Sequence, residues 1–440
     1  MNRIILIGNG FDLAHGMKTS YRDFIDGYWG EFIEGARKKE KYHEDECVNI
    51  TTTSTTYNLV DILPEGINTY RALKSSVHLH FSTTDFSINN RLLTKISDST
   101  SNKSWVDIEN EYYQELKDTF LKKKDFFDRY NVRKLNEEFS IIEKLLEKYL
   151  TKVEKETQPD SSVYQNIKEN IYSLIDINDL ANSFENEFIK EIENQIHDIE
   201  NWADEEFMDT YNETKKIHEN LSSNPVHIEN FIAKYLDEAE NEDDAYEYLI
   251  DEVHNEKIPD YFLTPNDILF LNFNYTNTSD FYQPENAEPF NTIHIHGELN
   301  SEENPMIFGY GDELAEDYKQ IENLNDNEYL KNVKSIRYLE TDNYRQLLNF
   351  IESEPYQIFV MGHSCGNSDR TLLNTLFEHK NCVSIKPFYH KRADGSDNYS
   401  EIVQNISRNF KDKALMRERV VNKTYCEPLT EPQEPQSKDS

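Results

Sequence analysis

The chain has 440 residues, 37% hydrophobic and 29% charged, with 27 Tyr, 24 Phe and 3 Trp. Its 46 Lys+Arg against 83 Asp+Glu give a formal net charge of −37, which argues against general nucleic-acid binding, because that binding depends on basic side chains neutralising phosphates. Disordered acidic chains are poor in aromatics, so most of this one is expected to fold.

The length points to two or three domains, or to one core with a large insertion. No apolar run of the roughly 18 residues that a membrane helix needs occurs, so no membrane contact is expected. The opening run Ile4-Ile5-Leu6-Ile7-Gly8 is too short for a secretion leader, and no small-residue cleavage site follows it. Cys47, Cys365, Cys382 and Cys426 are scattered without a C-x-x-C pair, so a zinc ribbon and other bound metals are not expected, and a reducing, cytoplasmic setting fits best.

Residues 3–8 form the first short aliphatic run, ending in glycine. Similar runs return late, at Ile268–Phe273, Thr292–Ile295, Tyr356–Met361 and Cys382–Ile385. Short, nearly continuous apolar runs are how strands buried on both faces of a parallel sheet read. A helical pattern at Thr371–Phe377 follows one of them, so the ends of the chain predict an α/β fold with a mostly parallel sheet. Residues 31–104 read as a loop-rich region with short elements, rich in Thr, Ser and Asn from 48 onward.

From 105 to 261 the pattern turns helical. Ile108, Tyr112, Leu116 and Phe120 recur every four residues, and Leu135, Phe139, Ile142, Leu145, Leu146, Tyr149 and Val153 mark a longer stripe. Weaker patterns lie at 168–182, 185–212 and 226–252. The charge runs Lys122–Lys124 and Glu238–Asp244 read as solvated faces, and the Pro-rich tail at 426–440 as disordered. The expected architecture is a discontinuous α/β domain, 1–30 plus 262–420, interrupted by a large α-helical insertion.

Four constellations carry candidate chemistry. In Gly8-Asn9-Gly10-Phe11-Asp12 a buried strand meets Gly-x-Gly, the start of a phosphate- or nucleotide-binding turn, with the following helix N-terminus offering free N–H groups. The bland alternative is a tight turn with Asp12 as a helix cap. Leu271-Asn272-Phe273-Asn274-Tyr275-Thr276-Asn277-Thr278 ends the strand starting near 268, where neutral donors and acceptors can hold a ribose or position a water, or simply cap the next helix. His294-Ile295-His296-Gly297 puts both histidines on one face of a strand, with His296 at its end as a candidate general base. Gly362-His363-Ser364-Cys365-Gly366 contains G-x-S-x-G between a strand and a helix, the context of a nucleophile elbow. Asp369 follows Ser364 too closely to be the acid of an ordinary triad, although His379 and His390 lie downstream. Asp107 and Glu109 suit the first turn of a helix, Glu109 with reach toward the site as the alternative. Phe308-Gly309-Tyr310-Gly311-Asp312 reads as a glycine-rich turn.

Together these motifs resemble the abortive-infection AbiH family of bacterial antiphage proteins. The residues that carry the resemblance are Ile5–Gly16 with Thr19-Ser20-Tyr21, then Trp105–Glu109, Asn272–Thr276, Ile295-His296-Gly297 and Gly362–Asp369. The same order is similar to a distant SIR2-like domain, which implies a Rossmann-like NAD fold. It also implies an effector that hydrolyses NAD+, with NAD as substrate or ligand and assembly into a homo-oligomer. By that resemblance His296, Asn274 and Asp12 form the catalytic set. Gly8, Asn9, Gly10, Phe11, Thr276, Gly297, Gly362, His363, Ser364 and Asp369 surround the nucleotide. Asp12 stands where sirtuins carry a small Ser, Asn272 and Thr276 where Thr and Asp are usual, and the zinc-binding Cys pairs are absent, which speaks against a deacylase. The helical insertion is the expected surface for a phage-derived trigger or a defence partner. The rival readings are a non-catalytic nucleotide sensor, a Ser hydrolase using Ser364, and a nuclease whose Asp12, Glu109 and Asp369 hold Mg²⁺.

Overall fold

The computed structural model describes residues 1–102, 107–121, 131–157, 161–195, 258, 260–283, 291–311, 313 and 316–430. In chain order the elements are β1 (Asn2–Ile7), α1 (Asn9–Ala14), α2 (Tyr21–Arg37), β2 (Tyr42–Glu44), β3 (Val48–Thr52), α3 (Leu59–Ile62), α4 (Tyr70–Leu79), β4 (Thr84–Ile88), α5 (Arg91–Asn102), α6 (Ile108–Leu121), α7 (Val132–Glu156) and α8 (Ser161–Ile171). The later strands are β5 (Ile268–Asn272), β6 (Thr292–His294), β7 (Tyr356–Met361), β8 (Cys382–His390) and β9 (Pro428–Thr430).

Six strands pair in the order β6-β5-β1-β7-β8-β9, every pair parallel. Numbered by their order along the chain, these strands run 3-2-1-4-5-6, the Rossmann order. The fold is therefore α/β and Rossmann-like, with the strand order reversing between β1 and β7. Open sheets of this kind leave a crevice at that reversal, beyond the carboxyl ends of the strands.

Alternate residues of β1 serve two cores, which is why the run is continuously apolar. Ile4 and Leu6 pack with Leu269, Leu271, Ile358 and Val360 under the helices Asn343–Ser353, Arg370–Phe377 and Tyr399–Asn409. Ile5 and Ile7 face the other way, onto Phe270, Phe359, Met361 and the α8 residues Val163, Ile167 and Ile171. Buried Arg3 ties α8 down. Its Nη1 donates to the carbonyls of Ile171 (2.7 Å) and Ser173 (2.6 Å), its Nε to Gln357 (2.8 Å), and its guanidinium lies 4.2 Å over the Phe359 ring.

The helical stretch is divided between two cores. α8 covers the sheet, whereas α6 and α7 pack with α2 and α5 through Tyr112, Leu116, Leu135, Phe139, Ile142, Trp29 and Leu93. Ser20 starts α2 with a capping box, its hydroxyl accepting from Asp23 N while Asp23 accepts from Ser20 N. Asn131 caps α7 at Lys134 N (3.1 Å).

Three regions differ from the sequence reading. Residues 42–88 include an antiparallel sheet, β2-β3-β4. In β3 Val48, Ile50 and Thr52 are buried and alternate with half-buried Asn49 and Thr51. Threonine suits strands as well as loops, so the composition concealed the alternation. Pro428–Thr430, counted with the tail, adds a sixth strand to β8. The pattern at 168–182 ends its helix at Ile171 and continues as a short 3₁₀ turn, Ile177–Asp179. The charge runs, the pattern at 226–252, residues 196–212 of the pattern at 185–212, Trp105 and the tail from 431 lie outside the described residues. Among the described residues no helix is long and apolar enough to cross a membrane.

Candidate functional site

A cavity of about 440 Å³ lies at the carboxyl ends of β1, β5, β6 and β7. Gly8–Gly10, Asp12, Phe273–Thr276, His296 and the 362–369 loop line it from the sheet side; Leu146 and Leu150 of α7, Asp107, Glu109 and Ser20–Arg22 line it from the helical side. The four loops flagged in the sequence thus meet at one place.

The glycines serve the meeting of the loops themselves. A Cβ on Gly8 would stand 2.5 Å from His363 Cα, one on Gly10 2.8 Å from the Gly362 carbonyl, and one on Gly362 (φ +77°) 2.1 Å from Phe11 N. Gly8 N donates to Met361 O (3.3 Å), Gly10 N to Gly362 O (2.8 Å) and Phe11 N to Gly8 O (2.8 Å). These donors are therefore engaged within the protein. A phosphate held at this turn would not use these three N–H groups, which the 362 loop and the turn itself already occupy.

Asp12 forms the floor. It is 1% exposed and accepts from Thr276 Oγ1 (2.7 Å) and Thr278 Oγ1 (2.8 Å). Burial raises its carboxyl to about 6, against the pull of those hydroxyls. Asn274 Nδ2 donates to the Gly8 carbonyl (3.0 Å), and its own N–H to Asn272 Oδ1 (2.8 Å). Asn272 turns its amide to the Thr276 carbonyl (3.0 Å), so it shapes the loop from within. Thr19 donates to Asn9 Oδ1 (2.7 Å), fixing the first turn of α1 against the start of α2.

The opposite wall is ionic. His296 Nδ1 lies 3.2 Å from the Phe273 carbonyl, its Nε2 3.1 Å from the Tyr338 hydroxyl and 3.2 Å from Asp369 Oδ1. With the proton of the neutral ring on Nδ1, facing the Phe273 carbonyl, Nε2 accepts from the Tyr338 hydroxyl and is the basic nitrogen. Burial, and after it the Lys334 ammonium, lowers His296 to about 4; Asp369 pulls the other way. Lys334, 1% exposed, donates to Asp369 Oδ1 (2.8 Å) and Glu109 Oε2 (2.9 Å). Burial works against that ammonium, but the two carboxylates outweigh it and hold its pKa above the ordinary lysine value. Burial likewise opposes the Asp369 carboxylate, yet Lys334 and then His296 hold it well below the usual range. Glu109 is raised to about 8 by burial, against Lys334 and with Asp369 and Asp107 adding to the rise.

Of the residues singled out in the sequence, Gly8, Asn9, Gly10, Asp12, Asn274, Thr276, His296, Gly362, His363, Ser364 and Asp369 line the cavity. Phe11 instead packs under the sheet. Gly297 (φ +81°) turns the chain, where a Cβ would stand 2.2 Å from the Pro305 carbonyl. Glu109 belongs to the site as well as to the first turn of its helix. Lys334, Tyr338 and Thr278 were missed; Thr278 stood in a quoted motif, whereas Lys334 and Tyr338 had no pattern around them.

Ser364 is exposed, and among the described residues no histidine is hydrogen-bonded to its hydroxyl. The left-handed residues of that turn are Gly362 (φ 77°) and Cys365 (φ 52°) rather than Ser364, and His363 accepts from Cys365 N (3.0 Å), so the parts of a Ser–His pair are not assembled. For the nuclease reading, Lys334 stands between Glu109 and Asp369 where a cation would have to sit. Asp12 faces the threonines.

A Rossmann-order sheet with a cavity at its switch point defines the class: a Rossmann-like α/β protein. The family described as bacteriophage abortive infection AbiH matches residues 4–242 and 126–390. The chain belongs to that family, and its role is antiphage abortive infection. No curated protein and no solved structure matches the chain.

Proposed function

We propose that the chain acts in abortive infection by hydrolysing NAD+ to nicotinamide and ADP-ribose. The observation that carries this reading is the meeting of Asp12, Asn274 and His296 in one cavity at the switch point of the sheet. In the reaction the C1′–N bond breaks with its electron pair going to the nicotinamide ring, which becomes neutral. The oxygen of a water bonds to C1′, and the proton of that water goes to His296 Nε2. Asp12 offsets the positive charge that grows on the ribose, as a fixed carboxylate does best in a dry site. Asn274 and Thr276 position the ribose or the water. The imidazolium formed would find Asp369 Oδ1 at 3.2 Å. For this to happen, water or a ribose hydroxyl replaces Tyr338 as the donor to Nε2. A phage-derived trigger acting through the helical block, and assembly of several copies, complete the reading.

The engagement of both His296 nitrogens by protein groups favours a second reading, a sensor that binds the nucleotide without turnover. Mass spectrometry of the purified chain with NAD+ separates the two. Hydrolysis releases nicotinamide and ADP-ribose, and His296→Ala and Asn274→Ala each lower the rate by about 10²-fold or more while the fold is kept. Full rates in both variants would overturn the assignment; tight binding of intact NAD+ without release would establish the sensor.

A further inference from the structure

We propose that Lys334 is the positioning residue of this site. It joins Glu109 of the helical block to Asp369 of the sheet, and so holds Asp369 against His296 and keeps His296 free to accept a proton. The chemistry it serves rests on the reading above, but its effect is on His296 itself.

The local chain is built for this placement. Lys334 opens a helical turn, Lys334–Arg337, and Tyr338 N donates to the Lys334 carbonyl (2.8 Å). One turn apart, the two side chains share a face: Lys334 reaches Asp369, and the Tyr338 hydroxyl reaches His296 Nε2. The glycine-rich segment at 308–311 explains how a lysine stem enters so deep. A Cβ on Gly309 would stand 2.1 Å from the Asn332 carbonyl, and one on Gly311 2.9 Å from Ser368 O and 3.4 Å from Lys334 Cβ. Lys334 N donates to the Tyr310 carbonyl (3.0 Å), and Gly309 N to Glu109 Oε1 (3.3 Å). Two glycines thus make room for the 332–334 segment and fix one end of the carboxylate it pairs with.

The groups facing His296 come from every neighbouring element: Asp369 and His363 after β7, Lys334 and Tyr338 from the helical turn, and Phe273 and Tyr275 after β5. Lys334 is the cation that both opposes a proton on His296 and keeps Asp369 ionised beside it. Without it, Asp369 and Glu109 face each other unneutralised, and the proton moves onto His296.

The test is an NMR titration of the full chain carrying ¹³C-labelled histidine, with the His296 signal identified by its loss in His296→Gln. Lys334→Gln should raise the His296 midpoint by about one unit or more, and Lys334→Arg should leave it near the wild-type value. Should Lys334→Gln fail to fold, Glu109→Gln is added, because it removes the carboxylate otherwise left buried and unpaired, and the same rise is expected. An unmoved midpoint in the folded variant overturns the proposal. The titration needs no substrate, so a wild-type chain without NAD+ turnover would overturn the function and leave this result standing. In an active enzyme the acid limb of the rate profile moves to higher pH with Lys334→Gln, which a merely structural residue would not do.

Discussion

Asp12 shows how a motif residue changes meaning once it is buried. The sequence offers it as a helix cap or a ligand-facing carboxylate. The fold buries it on the cavity floor beside Thr276 and Thr278 and raises it from 3.8 to about 6. A raised acid contributes stability that is complete below its unfolded value and is lost as pH rises through the folded one. Asp12→Asn has no such loss, so its stability relative to wild type should grow from pH 4 to pH 6 and then level, by ~3 kcal/mol in all. Denaturant unfolding at pH 4 and pH 8 checks this; an equal gap at both would contradict it. Asp12, Asn274 and His296 were legible because each sits in a motif at a strand end. Lys334 was not, because a single lysine among polar residues reads as surface, and only the approach of the 332–334 segment to Gly309 and Gly311 buries it.

Among the elements, the contact between the β1–α1 turn and the loop after β7 supports the site most directly. Gly362 has φ +77°, and a Cβ there would meet Phe11 N at 2.1 Å. Gly362→Ala is expected to destabilise by more than about 2 kcal/mol, since left-handed strain and a backbone clash add. Gly16 (φ +78°) has nothing within 4 Å of a Cβ, so Gly16→Ala should cost only the strain, about 1–2 kcal/mol. Thermal unfolding of both variants tests the pair; equal losses would mean the clash relaxes away. Five of the six parallel strands were legible because both their faces are apolar, and α7 because its stripe is long. The β2-β3-β4 sheet was not, since its strands are three to five residues long and polar Thr, Asn, Asp and Ser stand among the apolar residues of β3 and β4. Nor could periodicity tell that α8 serves the sheet while α6 and α7 serve the helical core.

At the scale of the whole molecule, the cavity belongs to both parts of the chain. The sheet supplies Asp12, Asn274, His296 and Asp369, and the helical side supplies Glu109, Leu146 and Leu150. Lys334 links the two through Glu109 and Asp369. That arrangement gives an abortive-infection protein a way to couple an event on its helical side to the state of His296. The surplus of acidic residues, net −37, is consistent with the small-molecule ligand proposed above. On the proposed function, protection works through loss of NAD+. The most direct measurement is therefore cellular NAD+ and ADP-ribose after phage infection, in bacteria carrying the wild-type chain or His296→Ala. NAD+ should collapse and ADP-ribose appear with the wild type alone, together with protection of the culture. Protection with NAD+ unchanged would contradict the account.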